Sequence, residues 1–183
     1  MEASGARMIF TELPLAGAFV IDLEPRRDER GFFARAFCAR EFEQHGLKTG
    51  IVQANLSQNA HKGTVRGMHY QRAPHAEVKM VRCVSGTIFD AIIDLRPDSL
   101  TYLRWTGIEL SHENRRMLYV PEGFAHGYQA LTDDSEVLYL VTEFYSPQDE
   151  AAIRWNDPRF GIAWPIADAI LSPKDTVHPD FQP

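Results

Sequence analysis

Cysteine is nearly absent from this chain: only Cys38 and Cys83 are present, too few and too isolated for a disulfide framework or the paired spacing of a zinc site. Long apolar runs are missing as well. No stretch approaches the roughly 20 residues that a membrane-spanning helix needs, and the first residues lack the basic, then apolar, then small pattern of a secretory leader. These absences predict a protein of the reducing cytoplasm with no membrane partner. Positive charge is also in deficit, 19 Lys and Arg against 25 Asp and Glu for a net charge of -6, so no global basic field draws the chain to nucleic acid. Local Arg and Lys must therefore meet any anionic ligand.

Low-complexity linkers and internal repeats are missing too, and Gly and Pro are scattered rather than clustered. With 183 residues and 44% hydrophobic content, the chain reads as one domain over residues 1–183 with a sizeable core. Its apolar runs are short and rich in Val, Ile, Phe and Tyr. Segments 17–23, 50–56, 79–84, 87–95, 102–110, 116–120, 127–130 and 136–144 read as strands between turn residues. In the segment 87–95, Phe89, Ala91, Ile93 and Leu95 share one face while Asp90, Ile92 and Asp94 share the other. Helix is scarce. Residues 39–46 form a short one stopped by Gly46, and Ser146-Pro147 opens a helical turn as N-cap and first position. The pattern predicts an all-β jelly roll or small antiparallel β-barrel with short peripheral helices, a shape that holds small ligands in its mouth.

The chemistry concentrates in the run Val65-Arg-Gly-Met-His-Tyr-Gln71, with Lys79 eight residues on. Read as one strand pair, it brings together an imidazole, a guanidinium and an ammonium, the groups that activate a ketone. Pro121-Glu-Gly-Phe-Ala-His126 has the PxGxxH spacing, similar to the second signature motif of the cupin superfamily, in which a turn delivers an imidazole into the barrel. Many cupins use that histidine as a metal ligand beside an HxH pair. Here the earlier stretch reads Met68-His-Tyr-Gln71, so the second histidine is missing, and His75 and Glu77 are the remaining conceivable ligands. The expectation is a site without metal or other cofactor, in which His69, Lys79, His126, Asp90 and Tyr139 converge for acid–base work. Each of these taken singly also fits a hydrogen-bonded core residue.

The stretches VRGMHYQ, EVKMVRCVSGTIFDAIIDLR, RRMLYVPEGFAHGYQAL and LYLVTEFYSPQDEAAIRWNDPRFGIAWP together resemble the dTDP-4-dehydrorhamnose 3,5-epimerase family of metal-independent cupins, over about residues 11–175. The resemblance implies that His69 removes the proton alpha to the C4 ketone of a nucleotide-linked 4-keto-6-deoxyhexose. Lys79 would stabilise the enolate oxygen, and Tyr139 would return a proton on the opposite face. Two faces are required, because a single base only washes a proton in and out. Asp175, in Leu171-Ser-Pro-Lys-Asp175, matches the carboxylate that orients the catalytic imidazole. His126 would support the sugar, and Asp90 would hold Lys79.

For substrate binding, the resemblance implies Arg66 on the diphosphate or sugar, Gln53 and Asn55 along the cavity, and Tyr145 near the base. Arg30 and Phe33 would reach the nucleotide from a neighbouring subunit, within a homodimer formed by strand exchange or sheet extension near the N-terminus. One departure stands out: the family carries Glu where this chain has Arg35, a charge reversal beside the base-recognition element. Alternatives within the fold are an epimerase of C3 or C5 alone on another nucleotide sugar, and a 3,4-ketoisomerase. Outside that chemistry stand a non-catalytic binding cupin and a metal-dependent one.

Overall fold

A computed structural model describes residues 7–182; residues 1–6 and 183, the ends of the expected domain, lie outside the described residues. In chain order the elements are β1 (Met8–Glu12), β2 (Phe19–Leu23), β3 (Arg26–Asp28), β4 (Gly31–Phe33), helix α1 (Ala39–Gln44), β5 (Gln53–Asn59), β6 (Val65–Gln71) and β7 (Lys79–Ser85). They continue with β8 (Thr87–Asp94), β9 (Trp105–Ser111), β10 (Met117–Val120), β11 (Phe124–Ala130), β12 (Ser135–Val141), β13 (Glu150–Ala152) and a 3-10 turn at Asp175–Val177. One sheet has six strands in the order β1-β2-β10-β7-β12-β5, the other five in the order β13-β6-β11-β8-β9, and β3 and β4 form a separate hairpin. All strand pairs are antiparallel. The two sheets face each other in the manner expected of a jelly roll.

Alternation explains how each strand divides its side chains. From β8, Ile88 and Ile92 enter a cluster with Val81, Cys83, Leu118, Val120 and Val137 of the opposing sheet. The intervening Ala91 and Ile93 point to a second cluster on the far side, covered by Ile153, Phe160 and Trp164 of the C-terminal segment. The outer side of the six-stranded sheet is closed by Phe42 of α1 against Met80, Met117 and Tyr119. Each such large side chain contributes about 1.5–3 kcal/mol on burial, so both sheets are anchored on both faces. The apolar filling between them stops short of one end, where polar side chains line a cavity instead.

Several local expectations change. His69 and Lys79 do not share a strand pair: β6 lies in the five-stranded sheet and β7 in the six-stranded one, so the two side chains meet across the interior. The Ser146 segment makes a single turn, in which Asp149 and Glu150 N–H donate to the Ser146 carbonyl. It then enters β13 rather than a helix, because Glu150–Ala152 pairs with β6. Strand β12 ends at Val141 rather than at 144, β5 and β9 begin three residues later than expected, and β11 begins earlier, at Phe124. The short strands β1, β3, β4 and β13 are additional to those expected.

Candidate active site

Strands β6 and β11 run side by side with His69 opposite His126. Glycine makes this approach possible. Gly67 has φ +141°, and a Cβ there would sit 2.5 Å from the Cα of Gly127 on the neighbouring strand. Any side chain would push the two histidine-bearing strands apart. The register slips between His126 and Tyr128, and both of those side chains line the same cavity.

The opposing wall comes from the six-stranded sheet. Tyr139 pairs with Asn55, Val141 with Gln53 and Val137 with Ser57 across β12 and β5, while Lys79 lies opposite Val141 on β7. Period-two alternation therefore places Gln53, Asn55 and Ser57 in one row. Arg66, His69, Lys79, His126 and Tyr139 surround a cavity of about 280 Å³ with Ser57 and Asp175. A second cavity of about 370 Å³ shares His69, Lys79 and Tyr139 with it and extends past Gln53 and Asn55 to Tyr145. A larger cavity of about 890 Å³ lies elsewhere, beside Lys48 and Glu122. Those two side chains neutralise each other at 2.6 Å, its His45 is stacked on Phe10, its Tyr119 hydroxyl accepts the Lys48 backbone N–H, and none of His69, Lys79 or Tyr139 lines it.

His69 Nε2 lies 2.6 Å from Asp175 Oδ1. The carboxylate is itself fixed: Ser172 Oγ donates to its Oδ2 at 2.8 Å and accepts from its backbone N–H at 3.1 Å. Burial pushes the Asp175 carboxyl up, but the hydrogen bonds from His69 and Ser172 outweigh this and hold it below its ordinary value. An ionised carboxylate at Nε2 fixes the proton there and leaves Nδ1 as the basic nitrogen. Across the cavity, burial first and then the neighbouring Tyr128 and Glu77 push the Tyr139 phenol up, which keeps its proton available for donation.

Lys79 pairs with Glu77 at 3.2 Å, which corrects the expected pairing with Asp90. That carboxylate instead lies 2.9–3.0 Å from His126 Nε2, behind the cavity wall. Cross-strand register decides the matter, since Asp90 sits opposite Tyr128 on β11, two residues from His126. Complete burial pushes the Asp90 carboxyl up, against the opposing influence of His126 and Lys79. Arg66 Nε donates to Asn59 at 2.8 Å and its Nη2 to the Gln58 carbonyl at 3.1 Å, so its fork is oriented before any ligand arrives. Tyr145 donates its hydroxyl to Glu150 at 2.9 Å, and its backbone N–H donates to Gln53.

Arg30 and Phe33 are not brought to these cavities. They lie on the β3–β4 hairpin, where Arg30 closes on Asp28 at 2.5 Å and Phe33 is 69% exposed. Arg35 forms an ion pair with Glu41 at 2.8 Å, which gives the reversed charge a local partner. Of the conceivable metal ligands, His75 is bound to Asp149 at 2.7 Å and Glu77 to Lys79. His69, Asp175 and His178 place donor atoms within 4.8 Å of one another, but the bond between the first two occupies both of their facing atoms. Both cysteines are free, and burial pushes the Cys83 thiol up to about 11, which leaves it unreactive.

The residues not anticipated are Ser57, Tyr128, Glu150, Ser172 and Lys174. Ser57 and Tyr128 had a visible signal, each lying two residues from a candidate on the same strand face. Glu150 comes from a different segment, and Ser172 and Lys174 flank Asp175 in a turn, where no strand parity marks them.

A sequence model of the dTDP-4-dehydrorhamnose 3,5-epimerase family matches residues 12–183. The chain is 44% identical over 171 residues to the dTDP-4-dehydrorhamnose 3,5-epimerase of Shigella flexneri, covering 92% of each protein. The crystal structure of dTDP-4-dehydrorhamnose 3,5-epimerase from Bacillus anthracis with TDP and PPi bound superposes with a TM-score of 0.93 at 38% identity, over 96% of this chain and 100% of that one. The epimerase from Legionella pneumophila in complex with dTDP-4-keto-L-rhamnose gives 0.89 at 35% identity, over 95% and 93%. With matching fold, length and sequence across nearly its whole extent, this chain belongs to the dTDP-4-dehydrorhamnose 3,5-epimerase family of isomerases.

Proposed function

We propose that the chain epimerises a nucleotide-linked 4-keto-6-deoxyhexose, converting dTDP-4-dehydro-6-deoxy-D-glucose to dTDP-4-dehydro-L-rhamnose by inversion at C3 and C5. The observation that carries this reading is the placement of His69 and Tyr139 on opposite sheets, facing one cavity that also holds Lys79. A proton alpha to the C4 ketone passes to His69 Nδ1, and the negative charge moves onto O4. The Lys79 ammonium meets that charge in a partly desolvated site, where a fixed cation is worth more than in water. Tyr139 then delivers a proton to the other face of the enolate carbon, and the centre is inverted. Asp175 keeps the His69 tautomer correct and stabilises its imidazolium, and His126, backed by Asp90, supports the sugar. The cycle uses no electron transfer, and Lys79 supplies the charge that a Lewis acid would otherwise provide.

Arg66 offers its guanidinium to a diphosphate or sugar, with Gln53, Asn55 and Tyr145 lining the way to the base. A homodimer in which Arg30 and Phe33 reach a partner's nucleotide accounts for an exposed aromatic hairpin that lines neither of the two cavities around His69. It is also supported by the edges that β1 and β5 leave at the ends of their sheet. Among the described residues no helix is long and apolar enough to cross a membrane, and a cytoplasmic location suits free thiols and a nucleotide-sugar substrate.

Incubation with dTDP-4-keto-6-deoxyglucose in deuterated water, followed by NMR, tests the reading. Deuterium at both C3 and C5 is expected. Labelling at one carbon alone reduces the assignment to a mono-epimerase, and labelling at neither removes the substrate.

A further inference from the structure

The carboxylate behind His69 has a second imidazole on it. His178 Nε2 lies 3.3 Å from Asp175 Oδ1, the same oxygen that receives His69, and the His178 side chain is 12% exposed. That nitrogen is shielded from solvent and makes no hydrogen bond. The two rings meet edge to face with centroids 5.6 Å apart. His178 is fixed there by the residues that follow it: the Arg154 N–H donates to the Pro179 carbonyl at 2.9 Å, Arg154 grips Asp180, and the Phe181 N–H donates to Asp157 at 2.6 Å. Such anchoring is more than a loose tail needs.

We infer that His178 is a positioning residue that tunes the base: by competing with His69 for Asp175 Oδ1, it weakens the carboxylate's hold on the His69 imidazolium. Two effects act in the same direction. A proton on His178 draws negative charge from the shared oxygen, and a protonated His178 repels a positive charge on His69. Both favour the unprotonated, base-competent form of His69 as pH falls. The other charged groups around this pair come from four segments: Arg66 on β6, Lys79 on β7 paired with Glu77 at 3.2 Å, Glu150 on β13 bound by Lys174 at 2.6 Å, and Arg154 bound by Asp180. All but Arg66 are matched by an opposite charge, and none of them shares the Asp175 oxygen with His178. The inference rests on the proposed role of His69 for its catalytic meaning, but not for its physical test.

The test is the NMR titration of the His69 ring in the full-length protein, assigned by loss of its signals in His69→Gln. In His178→Ala the His69 midpoint is expected to move to higher pH by about half a unit or more. In His178→Gln, which keeps an amide donor but cannot gain a proton, it is expected to move the same way by a smaller amount. The acidic limb of kcat/KM should follow the ring. Superimposable midpoints, or a move to lower pH, overturn the inference. Should His178→Ala not fold, the direction in His178→Gln decides. A wild-type protein that fails to exchange C3 and C5 protons refutes the epimerase reading, while the ring titration still decides the coupling.

Discussion

His69 and His126 stand opposite each other on adjacent strands, and each has a carboxylate on Nε2. The Asp175 carboxylate arrives from a distant turn, is held by Ser172, and leaves the His69 ring 30% exposed to the cavity. Asp90 comes from the neighbouring strand, is fully buried, and holds a His126 side chain only 10% exposed. Hydrogen bonding wins at Asp175 and keeps the carboxyl below its ordinary value, whereas desolvation wins at Asp90 and raises it. The same two residue types thus give a carboxylate held ionised beside the partly exposed His69, and one whose charge burial opposes beside the enclosed His126.

The comparison breaks most readily at His69, the proposed base. His69→Ala is expected to reduce deuterium incorporation at C3 and C5 by at least about 10³-fold, whereas His126→Ala should retain measurable exchange; equal losses would erase the distinction. The next largest effect is on stability. Asp90→Ala strands a buried imidazole and should cost about 3–5 kcal/mol in urea unfolding, against about 1 kcal/mol for Asp175→Ala, whose partner reaches solvent. Tyr139→Phe should slow formation of the inverted product by about 10²-fold while leaving part of the exchange catalysed by His69, seen by comparing solvent label with product configuration.

The smallest effect is the sharpest in sign. Asp175 has a depressed folded value, so its stabilisation is full above the unfolded value and disappears as pH falls through the folded one; Asp90 has a raised value, so its contribution is full at low pH and is lost as pH rises. Asp175→Asn should therefore flatten the acid side of the melting-temperature profile below about pH 4, and Asp90→Asn the side above it. The first measurement needs a correction for Asp94, which lies away from the site. Burial alone would raise that carboxyl, but hydrogen bonds from Arg96, Ser99 and Thr101 hold it at about 2, so it contributes a further acid-labile term of about 2 kcal/mol.

Where alternation is local the sequence was readable. Residues 87–95 divide their faces as expected because each contact depends only on parity along one strand. The three-residue strands β3 and β4 were not legible, since Arg26, Arg27 and Asp28 are all exposed and no apolar period marks them. Sheet membership was not legible either: the chain between Gln71 and Lys79 crosses from one sheet to the other, and nothing in its composition distinguishes a crossing from a hairpin. The exchange of Asp90 from Lys79 to His126 has the same origin, a cross-strand register that no single segment encodes. The pairing of His69 with Asp175 was anticipated only through family resemblance, because it joins positions 106 residues apart.

The order of the chain gives Asp175 a consequence in time. Every strand of both sheets lies before it, and β13 completes the pairing of β6 at Ala152. During synthesis the cavity walls can close before the carboxylate has been made, so shape precedes competence. A protease that cuts between Asp168 and Ser172 would leave every sheet strand and the covering Ile153, Phe160 and Trp164 in place and detach Asp175, the partner of His69, together with His178. Under the proposed mechanism such a clip would take the activity while most of the architecture stays.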